Sequence, residues 1–234
     1  MPSLDALTRG EKAKLTRLAM DLVAWASTSG REFPWRSDQA SVYEKVVVEV
    51  LLQRTTATAV AKFYEEFFAT YPGWSDLAAA EIEELEQFLK PLGLWRRRAV
   101  ALTGLARFAH EQGGVFPSTA SAHAPIPAVG QYVSNAILMF QHRRSAPLLD
   151  VNMARVIERF VRPRRLADIR YDPWLQAAAR WFVRGVRPER KNWAILDFAA
   201  VICKSRIPEC PTCPIKRRCS YFARVRRGVI EESQ

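Results

Sequence analysis

The sequence predicts an all-α protein, and three observations carry the prediction. Apolar residues recur at helical spacing along most of the 234 residues. Two Ser/Thr-x-x-Glu signatures, Thr8 to Glu11 and Ser41 to Glu44, precede such runs, where a side-chain cap satisfies the first backbone N–H groups. No stretch alternates apolar and polar residues as a half-buried strand must, and no repeat of solenoid period stands out.

In order, Thr8 opens a helix with Leu15, Leu18, Leu22, Val23 and Ala26 on one face, stopped at Ser29-Gly30. Phe33-Pro34-Trp35-Arg36 reads as an extended aromatic linker. The helix after Ser41 carries Val46, Val47, Val48, Glu49, Val50, Leu51 and Leu52. A third covers about 56–71, with Val60, Phe63, Phe67 and Phe68 at helical spacing. Ile82, Leu85, Phe88 and Leu89 mark a fourth, closed near Gly93, and 95–112 is a fifth. A short helix over 118–124 leads into Ile126-Pro-Ala-Val-Gly130-Gln-Tyr132, a tight hairpin feeding an apolar helix from Val133 to Phe140. A basic link (His142, Arg143, Arg144) follows, then Leu148-Leu149-Asp150 and a helix with Met153, Val156, Ile157 and Phe160 inward. Asp172-Pro173 starts a helix ending near Gly185, as an N-cap with proline in the first turn. Pro188 begins the last, which runs into Cys203, and the tail over 224–234 reads as frayed.

The totals narrow the function. A net charge of +11 favours a polyanionic partner, with an inert basic surface as the alternative. Arginines outnumber lysines 27 to 8, and the guanidinium is the better phosphate fork. No apolar run approaches the roughly 20 residues that cross a bilayer, and Met1 to Gly10 shows no signal-peptide core. A cytoplasmic protein is expected.

Three places carry chemistry. The hairpin at 126–132 would present backbone N–H groups to a phosphate. Asp150 is either a cap for the next helix or an oriented carboxylate for catalysis, and the two roles are compatible. Glu49 lies among six apolar neighbours, so it must face a cleft, find a partner, or sit on an exposed stripe. The four cysteines, Cys203, Cys210, Cys213 and Cys219, fall within 17 residues as C-x6-C-x2-C-x5-C. That spacing leaves an iron–sulfur cluster, zinc, and free or disulfide-linked thiols open. Lys216, Arg217 and Arg218 lie between the last two cysteines, where a tethered loop would hold positive charge toward a phosphate backbone.

Taken together, Ile126-Pro-Ala-Val-Gly130, Asp150 and the cysteine spacing resemble the endonuclease III family of helix–hairpin–helix DNA glycosylases, over about 33–219. Glu49-Val-Leu-Leu-Gln53-Arg54-Thr55 and Asn192-Trp-Ala-Ile-Leu-Asp197-Phe sit where that family has equivalents. The resemblance implies a 4Fe-4S cluster at the four cysteines and a two-lobed all-α fold with double-stranded DNA and the active site in the cleft. One lobe is a six-helix barrel over 38–143 containing the helix–hairpin–helix (about 116–140). The other is a discontinuous cluster domain, 1–37 plus 144–234, with the cluster loop at 203–219. The family usually has a second glycine where this chain has Ala128. Ala128 is expected in an ordinary conformation, with Gly130 carrying the tight part of the turn.

By the same resemblance Asp150 is the catalytic aspartate, stabilising the positive charge that develops on the sugar. Strand-cleaving members place a lysine nucleophile where this chain has Tyr132, and tyrosine cannot form an imine. No lysine occurs between Lys90 and Lys191. The expectation is a monofunctional glycosylase, acting as a monomer on thymine or uracil opposite guanine, because the mismatch branch carries tyrosine here. Tyr132 would contact the base, its alternative being a half-buried aromatic. Glu49 would assist the leaving base or orient water. Gln53 and Arg54 would fill the gap left by a flipped base, and Val129, Gly130 and Gln131 would hold a phosphate. An adenine glycosylase is the same-class alternative, and a non-catalytic DNA-binding iron–sulfur protein the different-class one.

Overall fold

The computed structural model describes residues 7–228, and every regular element among them is helical. Two compact units emerge, one from 32–144 and the other from 1–31 together with 145–234.

In the first unit, α2 (Val42–Leu51) begins at the Ser41 capping box: Ser41 Oγ accepts from Glu44 N at 3.1 Å, and Ser41 N donates to Glu44 Oε2 at 2.6 Å. Its valines are mediocre helix formers, but Val46, Val47, Val48 and Leu51 are completely buried, so packing overrides propensity. α2 packs against α3 (Ala57–Thr70), α6 (Trp95–Glu111) and α7 (Gln131–Phe140). α6 also covers α4 (Trp74–Ala79) and α5 (Ile82–Leu89). The six-residue α4 is too short for its periodicity to be read from sequence. The aromatic stretch at 33–36 is not an extended linker. Pro34–Arg36 forms a 3₁₀ turn, Trp35 is buried, and Phe33 stacks on it at 4.7 Å, because burying the indole outweighs leaving the chain open.

The approach to α7 is a hairpin braced from both sides. The expected short helix is a single 3₁₀ turn, Ala120–His123. Buried His123 spans from it to α7, Nδ1 facing Ser134 Oγ and Nε2 facing the Pro117 carbonyl, each at 2.7 Å. On the other side lies Gly104 of α6, where an added Cβ would come within 2.9 Å of Pro127. Any side chain there would push the hairpin off α6.

The turn corrects the expectation for Ala128. Val129 N donates to Ile126 O at 3.2 Å and Ala128 adopts φ +63°, the pattern of a type II turn with proline second. Such a turn requires a left-handed third residue, whatever occupies it. Gly130 is extended (φ −79°, ψ −178°) and serves as N-cap of α7.

The second unit assembles α1 (Arg9–Ser29), α8 (Val151–Phe160), α9 (Pro173–Val183), α10 (Pro188–Val201) and α11 (Ser220–Arg226). Leu15, Leu18 and Leu22 of α1 are fully buried among a core that includes Phe160, Trp174, Phe182 and Phe198. Glu11 closes the Thr8 capping box and also accepts from Arg162 Nε at 2.7 Å and Trp174 Nε1 at 3.1 Å. α10 stops two residues short of Cys203, which still donates its N–H to Phe198 O at 2.8 Å. Residues 224–226 are helical rather than frayed, because buried Tyr221 anchors α11. The rest of the expected frayed tail, 229–234, lies outside the described residues, as do 1–6.

A left-handed alanine costs roughly 1–2 kcal/mol, part of which glycine's greater unfolded freedom offsets. Ala128→Gly should therefore raise stability by about 0.5–1 kcal/mol in chemical denaturation. Unchanged or reduced stability would show that the turn relaxes around alanine.

Candidate functional site

In the hairpin unit, the structure brings together two residues 83 apart in sequence. The Tyr132 hydroxyl, on the first turn of α7, donates to Glu49 Oε2 on α2 at 2.8 Å. Glu49 is 2% exposed and Tyr132 half-buried, which excludes the exposed-stripe reading of Glu49. A buried carboxylate needs such a donor. The α2–α7 packing that supplies it follows from the valines on either side of Glu49.

Gln53 and Arg54 follow α2 and are both exposed, Arg54 in the left-handed region (φ 58°). With Leu94, Arg97 and Arg98 they line a cavity of about 290 Å³. Buried Arg98 fixes this corner: Nη1 donates to the carbonyls of Leu92 and Gly93 at 2.9 Å each, and Nη2 to Gln53 O at 2.7 Å and Thr55 Oγ1 at 2.6 Å. Leu94, half-exposed at φ 51°, projects beside them. Sequence reasoning missed Leu94, Arg97 and Arg98. No local signal marks them, because the role of Arg98 depends on carbonyls that only the fold brings to it.

The hairpin N–H groups are divided. Those of Val129 and Gly130 bond within the turn, to Ile126 O and Ala128 O. The next N–H groups along the chain belong to the first turn of α7, which begins at exposed Gln131.

In the other unit, Asp150 is the N-cap of α8. Its Oδ1 accepts from Asn152 N at 2.9 Å and Met153 N at 2.8 Å, and its Oδ2 from Asn152 Nδ2 at 2.6 Å. Both carboxylate oxygens are thus aimed. Asn152 Oδ1 in turn accepts from Arg155 Nη1 at 3.1 Å, and Arg155 also donates to Cys203 O at 2.8 Å and Ala199 O at 3.0 Å. Burial raises the Asp150 carboxyl above the ordinary aspartate range, against the lowering pull of these donors and of the Arg155 charge.

The four cysteines line one apolar pocket with Val156, Phe160, Phe198, Ile215 and Tyr221. Burial pushes the Cys213 thiol up to about 11 and raises Cys219 as well, so these two stay protonated unless a cation joins them. Arg159 lies alongside, Nη1 at 3.5 Å from Cys203 Sγ. The Tyr221 hydroxyl is buried without a hydrogen-bond partner in the wall of the same pocket. All-sulfur donors around an apolar space, with a basic neighbour and an orphaned hydroxyl, fit a thiolate-bound metal group. Among the described residues, no three His, Cys, Asp or Glu side chains converge on a single ion. In the loop before Cys219, Lys216 donates to Pro211 O and Arg218 pairs with Asp21, while Arg217 is exposed.

Comparison with known proteins identifies the class to which this hairpin-bearing, all-helical chain belongs. The chain belongs to the HhH-GPD superfamily of base excision DNA repair proteins, whose description matches residues 47–169. It is 33% identical over 220 residues to a thymine/uracil-DNA glycosylase of Methanothermobacter thermautotrophicus, covering 93% of this chain and 97% of that protein. Its structure resembles that of a thermostable thymine-DNA glycosylase (TM-score 0.79, 30% identity, 91% of this chain and 98% of that one). An endonuclease III trapped as a covalent intermediate with DNA shares the fold (TM-score 0.73, 22% identity, 95% of this chain and all of that one).

Because the folded Asp150 carboxyl lies above its unfolded value, folding favours the protonated form. That contribution is complete below the unfolded value and lost as pH rises through the folded one. Asp150→Asn keeps a capping oxygen without the charge. Its Tm should match or exceed wild type at neutral pH, with any gain disappearing in acid. A variant melting well below wild type at neutral pH would contradict this.

Proposed function

We propose that the protein is a monofunctional DNA glycosylase that hydrolyses the N-glycosidic bond of a thymine or uracil paired with guanine. The observation that carries the reading is Asp150, whose two oxygens are held by three donors at the start of α8. As the base departs, the sugar gains positive charge, and a carboxylate fixed before the reaction stabilises it without reorganising. Flipping the base from the stack is least costly at a mismatch, which contributes to selection.

Tyr132 and Glu49 supply the base-facing chemistry. The phenol cannot act as an imine-forming nucleophile, so the product is an abasic site rather than a nicked strand. Its bond to Glu49 orients the hydroxyl for the base, and the carboxylate can accept or relay a proton. Gln53 and Arg54, with Leu94 and Arg97, suit the gap left by extrusion. The first turn of α7 suits a backbone phosphate, and Arg217 another. We assign 38–143 to the barrel lobe carrying the hairpin and 1–37 with 144–234 to the cluster lobe. The chain acts as a monomer on cytoplasmic, nucleoid-associated DNA.

We assign a 4Fe-4S cluster to Cys203, Cys210, Cys213 and Cys219. When bound it supplies a structural clamp on the loop holding Lys216 to Arg218. The Tyr221 hydroxyl, which lines the pocket, would be available to donate a hydrogen bond to it.

Duplexes containing T·G, U·G, A·8-oxoguanine or A·G, scored for alkali-labile sites, test the substrate. Activity on T·G and U·G is expected, with no borohydride-trapped adduct, and activity confined to adenine would overturn the reading. Asp150→Asn should lower base release by about 100-fold or more while DNA binding stays within a few-fold. For the cofactor, purified protein should contain iron and acid-labile sulfide in equal amounts, and zinc alone would refute the cluster.

A further inference from the structure

Residues 146–149, which deliver Asp150 to its position, are all buried yet belong to no helix or strand. Their backbone N–H and C=O groups need partners as much as any others. A side chain provides two of them. Asn192, on α10 and fully buried, accepts from Leu148 N through Oδ1 at 2.7 Å and donates from Nδ2 to Ala146 O at 3.1 Å. Bridging N–H and C=O two residues apart is what a neighbouring strand would do for an extended segment. The second Nδ2 proton goes to Pro188 O, one turn back on α10, at 3.0 Å. With two carbonyls on one side and one N–H on the other, the amide has a single satisfactory orientation. The segment is therefore registered on α10 two residues before the catalytic carboxylate.

We infer that Asn192 is a positioning residue for Asp150: its amide replaces a missing strand and sets where the cap residue of α8 meets its substrate. The inference rests on Asp150 being the catalytic carboxylate, as proposed above. No apolar residue can serve. Leucine fills a similar volume but leaves Leu148 N and Ala146 O without these bonds, so the segment can shift even while the core stays packed. A displacement of about 1 Å at a catalytic group can slow chemistry by about 100-fold. DNA binding depends on other surfaces and should hardly change.

The test compares Asn192→Leu and Asn192→Ser with Asp150→Asn, in full-length protein on a U·G duplex. Single-turnover base release, the DNA dissociation constant and thermal unfolding are measured for each. Serine leaves room for a water to bridge the same groups, so it should retain more activity than leucine and also guards against a misfolded leucine variant. Asn192→Leu is expected to slow base release by about 10–100-fold, with DNA affinity within about threefold and a cooperative melt. Amide exchange at Leu148 should accelerate in the same variant. If Asp150→Asn is inactive but Asn192→Leu keeps the wild-type rate, the positioning role alone falls. The same follows if Asn192→Leu slows only in step with its loss of folded protein or of affinity. If Asp150→Asn keeps base release, the assignment of the carboxylate fails and the inference goes with it.

Discussion

A helix can begin only where its first N–H groups find acceptors, and α8 begins on the carboxylate of Asp150. That constraint shapes much of the surrounding unit. The cap fixes the side chain, Asn152 and Arg155 extend the hydrogen-bonded chain to Cys203 O, and Asn192 holds the approaching backbone. Burial works against the charge of Asp150 and the donors work for it. Held between these, the carboxylate is costly to the fold and, in the role proposed for it, oriented before the reaction begins. A carboxylate in bulk water would be easy to keep but would reorganise as the sugar charge developed.

The hairpin unit solves a different problem, placing polar groups on a helix that is otherwise buried. α2 is apolar almost all round, and Glu49 survives in it because Tyr132 reaches across from α7. Just past the end of that helix lies Gln53, whose carbonyl is held by Arg98 from α6. Both polar features at this helix depend on residues distant in sequence but adjacent in packing. Single substitutions at Tyr132 or Arg98 would therefore disturb geometry on α2 rather than at their own positions alone.

Much of this was legible in the sequence, for local reasons. Thr8, Ser41, Asp150 and Asp172 announced their helices because capping is a short-range event spanning three or four residues. The cysteine spacing and the Tyr132 position were equally readable. What was lost depended on packing. Trp35 reads as linker in the sequence because its burial needs residues nearly thirty positions away, including Tyr64. Ala128 was misjudged because residue preference pointed to Gly130, whereas the turn's hydrogen bond dictates which position goes left-handed. Arg98 and Asn192 were invisible as devices, since a buried arginine or asparagine declares itself only through the carbonyls and N–H groups it meets. Gly104 matters only because Pro127 lies against it.

The discontinuity of the second unit bears on how the chain is made. α1 leaves the ribosome before the other described helices, yet its packing partners α9 and α10 are synthesised about 150 residues later. The hairpin unit, contiguous over 32–144, can complete its core while the polypeptide is still growing, as domains generally do. Meanwhile Leu15, Leu18 and Leu22 wait without their partners, an apolar face open to chaperones or to another nascent chain. The segment registered by Asn192 is then among the last to settle, since α10 emerges after it. An interrupted translation product ending near Arg144 would carry the hairpin and a complete first core, but neither Asp150 nor any of the four cysteines.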